Sequence, residues 1–425
     1  MSVTLHGPGG PPGSALDSWL SAGDHLLGGL RPLVGPLPGV ILDVRGPADL
    51  LQRARAGLPD GTATAEAIAV RLRRDGVPLV AGPPARRVDA RELAELSRAR
   101  GRDAVQVLRA DPSLLPELQI GAWWIGGWRV RLTRRALLTG RVAPRRLPPR
   151  LLADLAFWSG VHEAATPVEW HRLTASSYVV LCYHRLSGEA KPGQERIDVA
   201  PQALDRQLRL LRALGWRVLP PEQALGFHRR PDAVLPRRRY VITADDAFAE
   251  AVHELTTRAV HRPQVFTVTG SLGGRATWLD DEPVATREEL ARLHTAGGEI
   301  GSHARRHLPL DTLTDDEIEA EVAGSLADLR DLVPVDVPLL AYPHGRHDPR
   351  VHAAAVKAGY DAAYTTAQGR NGAGTDRWCL RRVEPKVWDT PASFAWKVLT
   401  GESPPPRWER RLERRWRIAN SRDES

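Results

Sequence analysis

A chain of 425 residues is long enough for two or three domains. With 42% hydrophobic and 26% charged residues it has enough apolar surface to bury, which excludes disorder over most of its length; two cysteines, Cys182 and Cys379, exclude a disulfide-stapled miniprotein and favour a reducing compartment. The net charge of +8, nearly all of it arginine, would suit an anionic partner, but the excess of alanine, arginine, glycine and proline reads first as the codon bias of a GC-rich genome.

Residues 1–14 are rich in glycine and proline and are expected to form a disordered tail. Residues 15–150 read as a small α/β domain of unassigned role. Gly39–Gly46 (GVILDVRG) and Val77–Ala81 (VPLVA) read as short strands, and Ala48–Ala56, Ala65–Arg74 and a stretch near Asp89–Arg100 carry helical periodicity. No glycine pattern there cradles a phosphate, since Gly7, Gly9 and Gly10 precede any strand. The segment GAWWIGGWRVRLTRR then sets Trp123, Trp124 and Trp128 among Arg129, Arg131, Arg134 and Arg135. A sugar platform or a membrane anchor would use such residues, but a hairpin packing its tryptophans into a core is the simpler expectation. Pro144–Arg150 reads as a linker and residues 151–176 as a helical connector.

From Ser177 onward the pattern sharpens. Tyr178–Tyr183 (YVVLCY) is a continuous apolar run, as a buried parallel strand requires. Pro201–Leu214 sets Leu204, Leu208 and Leu211 on one helical face and stops at Gly215. Arg239–Thr243, Gln264–Thr269, Glu299–Ser302, Leu339–Tyr342 and Ala362–Thr366 read as further strands. Between them, the capping boxes Thr286–Glu289 and Thr314–Glu317 open helices, the second with Ile318, Val322 and Leu329 on one face, and Val351–Ala358 forms another. This is a run of βα units with polar residues just past the strand ends, where α/β barrels place their active sites.

Three of those strand ends could carry chemistry: Asp245–Asp246, His303–Ala–Arg–Arg–His307 and Tyr342–Pro–His–Gly345. Two histidines four residues apart can point the same way from a helical turn, and with one carboxylate they make a facial metal site that leaves a position open for water. An adjacent aspartate could serve as general base, and a bound cation would let both carboxylates stay ionised. Taken one at a time, an HxxxH is also two surface histidines and a DD pair also a solvated turn.

In this order and spacing the segments resemble the polysaccharide deacetylase family, also known as carbohydrate esterase family 4 or the NodB-homology domain. The resemblance covers Ser177 to Gly401. The family's T-F-D-D-G-[YF] stands here as Thr243–Ala–Asp–Asp–Ala–Phe248, its H-[ST]-x-x-H as His303–Ala–Arg–Arg–His307, and its YPxG form as Tyr342–Pro–His–Gly345. Leu181–Cys–Tyr–His–Arg–Leu186 resembles the YHR segment that opens one branch. The resemblance implies a distorted, incomplete (β/α) barrel at 177–401, preceded by the smaller α/β domain and followed by a basic helix at 402–425. It implies hydrolysis of the N-acetyl group of an amino sugar in a glycan or glycan precursor, with a divalent cation, most often zinc in this family. Asp245 would be the general base, and Asp246, His303 and His307 the metal ligands. Tyr342, Pro343, His344 and Gly345 would bind substrate, a backbone N–H near Tyr342 stabilising the oxyanion. His184 would be the acid, with His344 and His347 as fallbacks, because no histidine follows His352.

The sequence departs from the family pattern at Ala244, Ala247 and Ala304. An alanine at 247 matters if that turn needs a positive φ, and an alanine at 304 removes a hydroxyl. These departures keep two alternatives open: an inert glycan-binding relative, and a hydrolase of a non-sugar amide or an ester. An N-acetylated carbohydrate is the expected partner and nucleic acid is not, since the arginines are scattered. The N-terminus has no basic flank followed by an apolar run, so a cytoplasmic location is expected, peripheral at the inner face of the membrane. The contact would come from Arg407–Arg417, where Trp408, Leu412 and Trp416 form one stripe among arginines; docking of that stripe onto the protein itself is the competing expectation.

Overall fold

The structure, a computed structural model, describes residues 3–6, 8–9, 43–45, 48–56, 65–75, 77, 79–81, 86–87, 89–139, 149–187, 195–258 and 260–420. Two compact units emerge, one of residues 1–175 with 372–375, the other of 176–371 with 376–425.

In the first unit, Val3–His6 is the central strand of a three-stranded sheet, antiparallel to Asp43–Arg45 and parallel to Leu79–Ala81. The disordered tail expected at 1–14 is therefore corrected for these residues: Val3 and Thr4 are β-branched, and the glycine–proline run begins only after them. Most of Pro144–Arg150, the expected linker, lies outside the described residues. Two further expectations change. The tryptophan segment is no hairpin but a 3₁₀ turn, Gln119–Trp123, followed by a helix, Trp128–Leu138. Its Trp123 packs edge-on against Trp158 at 4.8 Å, and Arg134 turns inward to pair with Asp154 at 2.7 Å. The stretch taken as a connector begins inside the helix Pro149–Ala164, which packs along the helix Ala90–Ala110 as part of this unit.

The second unit is built on one curled, parallel sheet. Its strands are β1 (Ser177–Tyr183), β2 (Arg217–Val218), β3 (Arg239–Ala244), β4 (Gln264–Thr267), β5 (Glu299–Ser302), β6 (Leu339–Ala341), β7 (Ala362–Tyr364) and β8 (Asn371–Gly372). Their spatial order is β7-β6-β5-β4-β3-β1-β8, with β2 on β3, and the ladders from β7 to β1 are parallel. All seven residues of β1 are buried, the mark of a strand covered on both faces. The helices are α1 (Pro201–Ala213), α2 (Pro221–Arg229), α3 (Ala249–Thr257), α4 (Arg287–Thr295), α5 (Asp315–Arg330), α6 (Pro349–Ala358), α7 (Pro391–Thr400) and α8 (Pro406–Asn420). Helices α4 and α5 open with the two capping boxes at Thr286 and Thr314, and α7 with a third at Thr390.

A single irregular segment spans the gap between the two ends of the sheet. Leu380 exchanges backbone bonds with Ala363 and Thr365 at 2.9 Å each, and Val383 exchanges them with Val180 at 2.9 Å and Cys182 at 3.0 Å. Isolated bridges at this seam, in place of a ladder, leave the barrel incomplete.

Helix α8 lies against this unit through its apolar stripe. Trp416 meets Trp388 at 6.4 Å, Trp408 meets Trp396 at 5.9 Å, Leu412 is buried, and Arg417 pairs with Glu195 at 3.2 Å. The outward face carries Arg407, Arg410, Arg411, Arg414 and Arg415, all exposed. Among the described residues no helix is long and apolar enough to cross a membrane. Deleting residues 404–425 should lower the melting temperature by on the order of 10 °C, because a buried leucine and two aromatic pairs are lost. A thermal scan of the truncated protein checks this; an unchanged transition would show that the helix packs without contributing to stability.

Candidate active site

The motif residues cluster at the ends of parallel strands. Asp245 and Asp246 follow β3, His303 follows β5, the turn Tyr342–Gly345 follows β6, and His184 follows β1. The turn after β3 needs left-handed backbone at two successive residues, Asp246 (φ 68°) and Ala247 (φ 52°). The positive φ that made the alanine at 247 a concern is thus present, at a cost of about 1–2 kcal/mol. Burial of Ala247, with the Ala285 N–H donated to its carbonyl at 2.9 Å, holds the turn in place.

Three ligand-bearing side chains converge. The Nε2 atom of His307 stands 3.4 Å from Asp246 Oδ1, and that of His303 stands 3.9 Å from the same oxygen. Atoms each ~2.1 Å from a tetrahedral ion lie ~3.4 Å apart, so the spacing suits a small divalent cation. The tautomers suit it too. His303 Nδ1 donates to the Ala341 carbonyl at 2.7 Å, which leaves the Nε2 lone pair directed at the cluster. The Trp278 indole N–H donates to Asp246 Oδ1 at 3.1 Å, and its ring stacks on His307 at 4.8 Å. Contrary to the expected helical turn, His303 and His307 share a loop whose backbone is left-handed at Ala304 (φ 63°) and at His307 (φ 57°).

The electrostatics fit a missing positive charge. Burial pushes the Asp246 carboxyl up and the Asp245 charge adds to it, to about 8, against the opposing indole bond and Arg382. Burial likewise lowers His303 to about 4, and His307 falls to about 2 through burial and its neighbours His303 and His344. A carboxyl that resists ionising beside two imidazoles that resist protonation is a donor set that a cation would relieve.

Asp245 behaves in the opposite way. Burial works against its charge, but the guanidinium of Arg382 and the nearby His303 outweigh burial and hold the carboxyl well below the usual range. Arg382 grips it in bidentate fashion, Nη1 to Oδ1 and Nη2 to Oδ2 at 2.7 Å each, while its Nε donates to the Thr365 carbonyl at 2.9 Å. Both side chains are buried. Arg382 rides on the segment that closes the sheet, which is why it reaches the centre. On the other side of Asp245, a ring nitrogen of His184 and the thiol of Cys182 form a second cluster, ligand atoms within 4.8 Å of one another. Burial lowers the His184 pKa, and Asp245 and Glu384 oppose that. Glu384 is in turn paired with Lys386.

The turn after β6 divides differently from expectation. The Tyr342 side chain is buried in the core, its ring edge-on to His347 at 4.7 Å, and contributes nothing to the site. The Tyr342 N–H is donated to the Tyr364 carbonyl and the Gly345 N–H to the Tyr342 carbonyl, while Pro343 has none. His344, exposed, meets the His307 ring at 4.6 Å. His347 instead lies 3.4 Å from Cys379 Sγ, so it is no fallback acid.

Residues 236–363 match the family profile described as polysaccharide deacetylase. This stretch of the second unit is a polysaccharide deacetylase domain. YxkH of Bacillus subtilis (strain 168), which bears a polysaccharide deacetylase name, is 23% identical over 207 residues, 48% of this chain and 70% of its own. Among solved structures, the deacetylase PplD of Streptococcus pyogenes in complex with acetate shares 18% identity with a TM-score of 0.46, over 52% of this chain and 98% of its own. IcaB from Ammonifex degensii shares 21% identity with a TM-score of 0.45, over 54% and 98%. The deacetylase unit is accordingly a hydrolase of amide C–N bonds. Arg382, Trp278 and Glu384 are site residues that the motifs did not announce; the only trace of them in sequence is a short apolar-basic run, LRRVEP, and an isolated tryptophan in a loop.

Proposed function

We propose that the deacetylase unit is a metal-dependent N-deacetylase of an amino sugar in a glycan or glycan precursor. The observation that carries this reading is the pairing of two unlike carboxylates: Asp246 set among two imidazoles at ligand distances, and Asp245 held ionised by Arg382. Asp246, His303 and His307 would hold a divalent cation, most often zinc in the family the sequence resembles, which when bound would supply Lewis acidity to an acetamide carbonyl and a lower pKa to water.

The remaining work falls to the chain's own groups. Asp245 accepts the proton of the attacking water, its carboxylate plane fixed by the Arg382 fork. With the Tyr342 and Gly345 N–H groups committed elsewhere, the His344 N–H would be the backbone donor for the developing oxyanion. His184 delivers a proton to the amine nitrogen as the C–N bond breaks, with Glu384 opposing the loss of its charge. Trp278 covers the ligand cluster and offers a flat face for a sugar ring. His184→Ala should therefore retain metal and lose kcat by on the order of 100-fold. Unchanged kcat would move the acid role to His344.

The direct test is acetate release by the metal-loaded protein from N-acetylglucosamine oligomers, with a non-sugar acetamide and an aryl acetate run beside them. Release from the sugars, abolished by chelation, is expected. Exclusive turnover of the non-sugar amide or the ester would replace the substrate class, and no turnover of any with metal bound would favour the inert relative. For α8, with its tryptophans docked, a peripheral contact with an anionic membrane is proposed for the outward arginine face alone.

A further inference from the structure

The two histidine ligands depend on a loop that has no obvious reason to be rigid. Ala304 and His307 both hold left-handed backbone, which residues other than glycine keep only where their surroundings enforce it. The hydroxyl that the motif resemblance leads one to expect at 304 is absent. What holds the loop is one face of α5, together with the Thr269 and Gly270 N–H groups, which donate to the Ala304 and Arg305 carbonyls at 3.1 and 3.0 Å. Glu321, 1% exposed, accepts the N–H groups of Arg305 and Arg306 through Oε2, each at 2.9 Å, and pairs with Arg306 Nε through Oε1. Gly324 lies beneath the Arg305 guanidinium, where a Cβ would stand 2.5 Å from Cζ. Ser325 accepts a bond from Ser302 at 2.8 Å, and Ser302 accepts the Ala304 N–H at 3.0 Å. Asp328 takes two bonds from Arg305, at 2.9 and 2.7 Å.

Positions 321, 324, 325 and 328 follow the i, i+3, i+4, i+7 spacing of a single helical face. A polar face of this kind is normally solvated; here Glu321 and Ser325 are buried, and all four positions meet residues 302–306, with Asp328 also accepting from the Thr269 hydroxyl at 2.6 Å and Ser325 also bonded to the Tyr360 hydroxyl at 3.0 Å. Among these contacts only Glu321 reaches two consecutive backbone donors midway between the ligands. Its charge makes those bonds stronger than a hydroxyl would, and its burial leaves the two N–H groups no water to turn to if it is removed.

We propose that Glu321 is the positioning residue of the two-histidine loop: it sets the spacing of His303 and His307, and through it the affinity for the cation. This rests on the reading of Asp246, His303 and His307 as a cation site. The test uses full-length protein and zinc alone, with affinity measured by competition against a chromogenic chelator. Wild type should bind one ion per chain. Glu321→Ala should weaken binding by ~10–100-fold, the range found when a group supporting a metal ligand is lost. Arg306→Ala, which keeps both backbone bonds, and Glu321→Gln, whose amide oxygen can still accept them, should stay within ~3-fold of wild type. Leu326→Ala, a cavity in the core side of the same helix, should lower the melting temperature and leave zinc affinity alone, which separates positioning from general stability.

Full zinc affinity in folded Glu321→Ala overturns the inference, and so does an equal loss in Arg306→Ala, which would assign the effect to the ion pair. If Glu321→Ala does not fold, Glu321→Asp decides, because the shorter side chain cannot reach both donors: at least a ~5-fold loss is expected, and unchanged affinity overturns the inference. Absence of zinc binding by wild type would instead remove the cation-site reading itself.

Discussion

Asp245→Asn should bind metal as the wild type does, turn substrate over about 1,000-fold more slowly, and melt at a lower temperature. The first two effects follow from removing a base that is not a ligand. The third follows from Arg382. Its guanidinium is buried against both carboxylate oxygens at 2.7 Å, and an amide in that place turns two donors toward a donor fork. Losing one partner of a buried pair costs about 3–5 kcal/mol, because the other charge is stranded. The double variant Asp245→Asn with Arg382→Met should recover much of the stability and none of the activity, since replacing both partners is far milder than removing one. The pH sign is fixed by the direction of the shift. The Asp245 carboxyl is held below its unfolded value, so the pair's contribution is present from mildly acidic pH upward and is lost only as strong acid protonates it. Near-full turnover in Asp245→Asn would place the base elsewhere.

Removing either histidine ligand should be as damaging by a different route. His303→Ala and His307→Ala should purify without stoichiometric metal, and their activity should not return on adding zinc at concentrations that saturate the wild type. Elemental analysis beside acetate release reads both. Metal binding should also be proton-linked. Asp246, raised to about 8 by burial and by Asp245, must lose a proton to act as a ligand below that pH. Apparent affinity should therefore fall as pH drops from 8, by up to about tenfold per unit. A pH-independent affinity between 6 and 8 would show that Asp246 is already ionised before the ion arrives.

How much of this was legible in the sequence differs by element. The strand β1 announced itself, because a continuous apolar run of β-branched residues has few other fates, and the capping boxes at Thr286 and Thr314 marked their helices to the residue. Asp245, Asp246 and His303 could be picked out because they stand just past a strand end, and His307 because it follows His303 at the HxxxH spacing. Arg382 could not. It lies 137 residues from its partner, and nothing local distinguishes LRRVEP from any other basic segment; its role exists only once the sheet curls. Glu321 was hidden for another reason. A hydropathy pattern records that a helix face is polar, not that the face is buried, so nothing in the sequence of α5 singles out Glu321, Gly324 or Asp328. The stripe of α8 was visible as a stripe, but whether it faced lipid or protein depended on Trp388 and Trp396, which no periodicity in the tail can specify. In the first unit, the helix Pro149–Ala164 looked like a connector because its partner, Ala90–Ala110, lies far back in the chain.

The seam at Leu380–Val383 has a consequence for the order in which the protein is made. Synthesis delivers Asp245, Asp246 and both histidine ligands well before the seam leaves the ribosome. Until then the sheet has two open edges, and the aspartate at its centre lacks its guanidinium partner. A nascent chain halted before residue 380 thus carries every proposed cation ligand and lacks the guanidinium that does most to keep the proposed base charged. On the proposed reading, the centre would be able to take up a cation before it could turn substrate over, because Arg382 comes in beside Asp245 only when Val383 bonds to β1.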